Sequence, residues 1–182
     1  MFDYKNSYYS GELSYKRGIR KGVVLMAVLE RLDVYLKQNK IDYKTFKHPE
    51  VYTAQEIAAA LHVPGKELAK VVMVKAKERF IMTVIPASWR VDFSKLKDML
   101  KEKDIRLATE DEFKALFPDC EAGAEPPFGN LYNIETIVDM SITDDEHIFF
   151  NAGNHYETIE MNYKDFAGLV RPKVADFAVH LH

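Results

Sequence analysis

The sequence predicts a mixed α/β domain, and three observations predict it. Apolar residues at three- and four-residue spacing alternate along the chain with short β-rich runs, so helices and strands are interleaved. Two capping boxes, Thr53-Ala-Gln-Glu56 and Thr109-Glu-Asp-Glu112, mark helix starts between those runs. Regular βα alternation is missing and several strand-like runs follow one another directly, which favours hairpins over a doubly wound parallel sheet. With 182 residues, 47% hydrophobic and 29% charged, the chain is long enough for one domain with its own core.

Taken in order, the first twenty or so residues scatter Tyr4, Tyr8, Tyr9 and Tyr15 among basic residues without periodicity, so residues 1–26 are expected to be an extension outside a domain of residues 27–182. The apolar run at 23–29 is too short for a signal-peptide core and ends at Glu30-Arg31. Leu29, Leu32 and Leu36 then define an amphipathic helix over 27–39, and residues 43–47 alternate as a strand that His48-Pro49 ends. The Thr53 box opens a helix through Leu61, closed by Val63-Pro64-Gly65. Residues 68–75 and 80–85 read as a central hairpin across a polar turn. Asp92 caps a helix over 93–101, a strand covers 105–108, and the Thr109 box starts a helix that stops at Pro118. Strands are expected at 133–138, 147–151 and 156–161, a capped helix at 162–169, and a last strand at 174–180.

Charge and cysteine content narrow the function. The net charge is −3, and Lys5, Lys16, Arg17, Arg20 and Lys21 outweigh Asp3 and Glu12 near the start, leaving the rest of the chain acidic. This argues against binding in a nucleic-acid groove more than against recognition of a nucleic-acid end. One cysteine, Cys120, allows no intrachain disulfide and no Cys cluster for zinc, in keeping with an expected cytoplasmic location. Asp144, Asp145, Glu146 and His147 read as a solvated turn rather than a metal site, because consecutive strand positions point to different sides.

Four pieces carry candidate chemistry. Cys120 to Gly129 combines permissive Gly123 and Gly129 with the fixed φ of Pro126 and Pro127, a loop able to hold backbone N–H groups in set directions, or simply a turn. Lys70 lies in a strand apolar enough to be buried, where an ammonium needs a partner or a function unless its stem reaches solvent. His48 to Thr53 precedes the first box, and Asn151-Ala-Gly-Asn-His155 joins two strands. His155 is either a proton-transfer or water-orienting group, as imidazole chemistry suits, or a turn histidine satisfied by backbone.

Together, His-Pro-x-x-Tyr-Thr-Ala, Leu-Ala-Lys-Val-Val, Gly-x-x-x-Pro-Phe-Gly and Asn-Ala-Gly-x-His resemble the YbaK-type aminoacyl-tRNA deacylases, related to the editing domain inserted in bacterial prolyl-tRNA synthetases, from about Leu29 to the C-terminus. The resemblance implies a mixed, mostly antiparallel sheet or barrel-like core flanked by helices. It implies metal-free, cofactor-free hydrolysis of the ester joining a wrong amino acid to the 3′-terminal adenosine of tRNA, by a free-standing trans-editing factor with tRNA(Pro)-type substrates as the first expectation. By motif, Lys70 matches the lysine that contacts the tRNA end, Gly123 to Pro127 the loop around the terminal ribose and ester, and Gly153 with His155 the wall around the aminoacyl group. Phe46, Tyr52 and Thr53 fall where pocket-lining residues are expected. Val71 follows Lys70 where an alanine-selective branch has asparagine, so alanine specificity is not implied. The implied partner is the acceptor end of a mischarged tRNA, with a synthetase partner open and neither membrane nor DNA expected. Two other readings stand beside this one: Cys120 as a nucleophile with His155 or His48 as its base, and a catalytically silent module that grips a tRNA end or a synthetase.

Overall fold

The structure is a computed structural model and describes residues 21–180. The expected extension therefore lies largely outside the described residues. Helix α1 spans Lys21–Gln38, so helical backbone begins six residues before the predicted start. Strand β1 (Tyr43–Lys47) and helix α2 (Ala54–Leu61) follow. The α2 box forms as read: Glu56 N–H donates to Thr53 Oγ1, and the Glu56 carboxylate accepts from Thr53 N–H. The helix ends on His62 in the left-handed region, φ +55°, before the Pro-Gly pair is reached.

The predicted hairpin is the centre of the molecule. Strands β2 (Ala69–Ala76) and β3 (Arg79–Pro86) pair antiparallel, with Lys70 opposite Ile85. A short strand β4 (Trp89–Val91), not anticipated, precedes α3 (Phe93–Leu100), β5 (Ile105–Leu107) and α4 (Glu110–Phe113). After the 120–129 loop come β6 (Glu135–Asp139), β7 (His147–Asn151), β8 (Glu157–Asn162) and α5 (Tyr163–Val170). The expected single last strand is two, β9 (Lys173–Ala175) and β10 (Ala178–His180). They are separated because Asp139, buried, accepts hydrogen bonds from Phe177 N–H and Ala178 N–H and pulls the chain out of line.

The strands form a five-stranded sheet in the order β5-β2-β3-β6-β9, a three-stranded sheet β1-β8-β7, and the pair β10-β4. Pairing is antiparallel except β3 with β6 and β6 with β9. Leu32 and Leu36 of α1 and Phe166 of α5 are buried with Phe128 and Phe150 in the largest core cluster, while Leu96 and Phe177 join Ile81 and Ile85 in a second. A third, smaller cluster of Ile57, Leu68 and Phe149 lies where α2 meets both larger sheets. No helix among the described residues is long and apolar enough to cross a membrane.

Candidate active site

The two larger sheets share the main core and are linked by a backbone bridge, and the site is built beside that bridge. A parallel bridge joins Leu68 to Phe149, and Phe149 N–H donates to the Glu67 carbonyl at 2.9 Å. Side chains alternate along strands, so Lys70 and Asn151, each two residues past that bridge, emerge on a common side. Both line a cavity of about 140 Å³ whose other walls include Ile57, Leu68, Gly123 and Glu125, with Tyr52 at its exposed edge.

The 120–129 loop is clamped to the 151–155 turn by four hydrogen bonds. Glu121 N–H donates to Gly153 O at 2.9 Å, Gly153 N–H to Ala124 O at 3.0 Å, and His155 N–H to Glu121 Oε2 at 2.9 Å. His155 Nε2 lies 3.1 Å from Ala122 O. A carbonyl only accepts, so this bond requires the proton on Nε2, while Nδ1 is buried without a partner among the described residues. Gly123 and Gly153 sit at φ +82° and +94°, a region where a Cβ is penalised. At the far end, a Cβ on Gly129 would fall 2.6 Å from Ile134 O, so only glycine lets the chain pass there.

The cavity holds one cation and one carboxyl. Lys70 is half-buried, and its Nζ donates to Ala87 O at 2.9 Å; among the described residues no carboxylate lies within ion-pair distance of it. Burial pushes its pKa down. Glu125 is 6% exposed, accepts from Gly123 N–H through Oε1 at 3.2 Å, and is pushed up by burial. Asn151 Oδ1 is buried and accepts no hydrogen bond from the described residues.

Of the residues singled out in the sequence, Lys70, Gly123 and Tyr52 line this cavity. Phe46 instead packs on Phe149 at a ring separation of 6.1 Å, in the cluster beneath the site. Thr53 serves the α2 cap, Pro127 is buried in the loop, and Gly153 and His155 act in the clamp behind Gly123. Tyr52 stacks obliquely on the His155 ring at 4.7 Å, so the two walls are in contact. Cys120 faces Tyr132, with Sγ 3.4 Å from its hydroxyl, and burial pushes the thiol up to about 12, which keeps it protonated and a poor nucleophile. His48 Nε2 is bound to Thr158 Oγ1 at 3.0 Å, not to Cys120. Among the described residues no three His, Cys, Asp or Glu side chains are grouped as metal ligands.

Sequence reasoning missed Glu125 and Asn151. Both lie inside the Gly-x-x-x-Pro and Asn-Ala-Gly-x-His motifs, where the glycines, prolines and histidine carry the stronger local signal. The available signal was a carboxyl flanked by Ala124 and Pro126 and an asparagine after Phe149-Phe150, polar groups in apolar settings that demand a partner.

A family model described as an aminoacyl-tRNA editing domain matches residues 48–169. The proline–tRNA ligase of Dehalococcoides mccartyi is 31% identical over 146 residues, 79% of this chain and 24% of the ligase. That of Bacillus subtilis is 27% identical over 128 residues, 66% of this chain and 22% of the ligase. The chain thus spans about a quarter of the length of the curated relatives it matches. A crystal structure described as a candidate trans-editing enzyme for prolyl-tRNA synthetase superimposes with a TM-score of 0.71 at 18% identity, covering 82% of this chain and 96% of that one, a likeness of fold.

Proposed function

The chain belongs to the aminoacyl-tRNA editing domain family, and from that premise we propose that it is a free-standing deacylase that hydrolyses the ester between a wrong amino acid and the 3′-terminal adenosine of a tRNA. The observation that carries this reading is Lys70: a half-buried ammonium without a carboxylate partner, lining a small cavity opposite a glycine loop. An ammonium has three donors, and Ala87 O occupies one. The others are free for the terminal phosphate or ribose of the acceptor end, where a charge-assisted bond is strongest.

In the reaction, water adds to the ester carbonyl, the C–O bond to the ribose breaks, and a proton passes to the ribose oxygen. Free amino acid and a tRNA with its hydroxyl restored are released. An aminoacyl ester is already activated, so fixed position and a donor for the developing oxyanion supply much of what is needed. The Gly123 N–H is a candidate donor. Its bond to Glu125 is at the long end of the usual range, so a substrate oxygen can compete for it. His155 holds Ala122 in place through its Nε2 proton and so positions the loop.

A cavity of about 140 Å³ suits a small aminoacyl side chain, and tRNA(Pro) is the first tRNA to try because the relatives are proline–tRNA ligases. A synthetase is a second candidate partner. One observation favours the silent binding module: none of the cavity side chains is a histidine free to act as a base. The test is hydrolysis of a panel of mischarged tRNAs, including Ala- and Cys-tRNA(Pro) with correctly charged controls, in the presence of EDTA. Selective loss of the wrong amino acid is the expected result. Tight binding of the acceptor end without hydrolysis anywhere in the panel would establish the binding module instead.

A further inference from the structure

We infer that Asn151 and Glu125 form the subsite for the α-ammonium of the aminoacyl group, making Asn151 a substrate-binding residue that distinguishes aminoacyl from simple acyl ligands. The inference rests on the deacylase reading for the identity of the ligand, but its own evidence is the pattern of unmet polar groups in the cavity.

Asn151 ends β7 opposite Thr158, whose hydroxyl is bonded to His48 Nε2 at 3.0 Å, so its backbone is placed by the β7–β8 ladder. Its Oδ1 is buried and has no donor among the described residues, and Asn151 lines the cavity together with apolar Ile57 and Leu68. A buried acceptor without a donor is costly, and such a group at a cavity wall is matched when a ligand supplies the donor. The charges on the same wall identify the donor's class. Lys70 provides one positive group and Glu125 one negative group, with no ion pair between them. An aminoacyl-adenylyl end carries the complementary pair: an anionic phosphate on the nucleotide side and a cationic amine on the amino-acid side. With the phosphate directed to Lys70, the amine falls to Asn151 Oδ1 and the Glu125 carboxyl, both acceptors. A ligand lacking the amine would leave Asn151 Oδ1 without a donor and Glu125 with the Gly123 N–H alone, which is how a site built around a polar contact rejects an analogue.

The experiment compares two non-hydrolysable probes by calorimetry, 3′-alanylamido-adenosine and 3′-propionylamido-adenosine, which differ only in replacing the α-ammonium by hydrogen. Wild type is expected to bind the alanyl probe at least tenfold more tightly. Asn151→Ala should reduce that preference to about twofold or less, and Asn151→Asp, which retains an acceptor, should keep it. Equal binding of both probes by wild type, binding of neither, or a preference that survives in Asn151→Ala would overturn the assignment. A preference for the seryl over the alanyl probe that vanishes in Asn151→Ala, with the amine preference intact, would overturn it too, because Oδ1 would then read a side-chain hydroxyl. Deacylation is assayed separately on charged tRNA. Amine preference without hydrolysis removes the deacylase reading alone, and hydrolysis without amine preference removes this assignment alone.

Discussion

At the residue scale, the side chains with the most chemical promise in the sequence divide into those that face the cavity and those that hold it. His155 is of the second kind: its Nε2 proton is committed to Ala122 O, and its ring backs Tyr52 and Gly123. His155→Ala should therefore slow deacylation by about tenfold through a loosened loop, and His155→Gln, which can still donate to that carbonyl, should recover most of the rate. Single-turnover kinetics check this; a Gln variant as slow as Ala would make the imidazole itself catalytic. Glu125 gives a pH prediction. Burial raises its folded pKa above the unfolded value, so the stability linked to its protonated form is fully present below pH 4.5 and is lost as pH rises through the folded value. Glu125→Gln, neutral throughout, should melt above wild type at pH 7, with the difference fading at or below pH 4. Equal differences at both pH values would show that the carboxyl is not destabilised by burial. Lys70 was legible because a lysine in an apolar strand breaks a local rule, and Gly123 because glycine near two prolines marks a constrained loop. Asn151 and Glu125 were not, because their meaning comes from a cavity that exists only when β7 and the loop meet.

At the element scale, α2, α3 and α5 begin and end within about one residue of the expected bounds, whereas α1 begins six residues earlier. Thr53, Asp92 and Asn162 announce α2, α3 and α5 through side-chain bonds to the first turn, a signal carried by one residue type at one position. The three helices stop on His62, Lys101 and Arg171, all left-handed, where glycine would ordinarily mark the stop. Those residue types carry no stop signal of their own, and the end of α2 is marked instead by Val63-Pro64-Gly65 just beyond it. His62→Gly should stabilise the protein by about 1 kcal/mol by relieving the left-handed strain, measured by urea denaturation; unchanged or lower stability would mean that the His62 side chain contributes more than its backbone costs. Likewise β4 and the break between β9 and β10 depend on pairing and on Asp139, neither of which is local in sequence. The central hairpin was legible because both of its strands are β-rich and the turn is short.

At the scale of the whole molecule, the site loop is anchored in the main core. Phe128 is fully buried, with ring centroids 5.5 Å from both Phe150 and Phe166, so the Gly-x-x-x-Pro segment is continuous with a residue that cannot move independently of the fold. Phe128→Ala should cost about 3–5 kcal/mol, read by denaturant midpoint. It should also weaken deacylation under conditions where the variant remains folded; normal activity with lowered stability would separate the loop from the core. The mixed α/β class followed from interleaved periodicities, yet the arrangement of the strands into separate sheets did not, since it depends on contacts distant in sequence such as the bridge between Leu68 and Phe149. That bridge brings Lys70 and Asn151 to one cavity, and the central claim is that ester hydrolysis occurs there. The most direct measurement is the single-turnover rate on the best mischarged tRNA for wild type, Lys70→Ala and Lys75→Ala. Lys75 lies on the same strand but is paired with Glu112 at 3.0 Å. The account predicts a loss of about a hundredfold for Lys70→Ala and a near-normal rate for Lys75→Ala; equal rates in all three would contradict it.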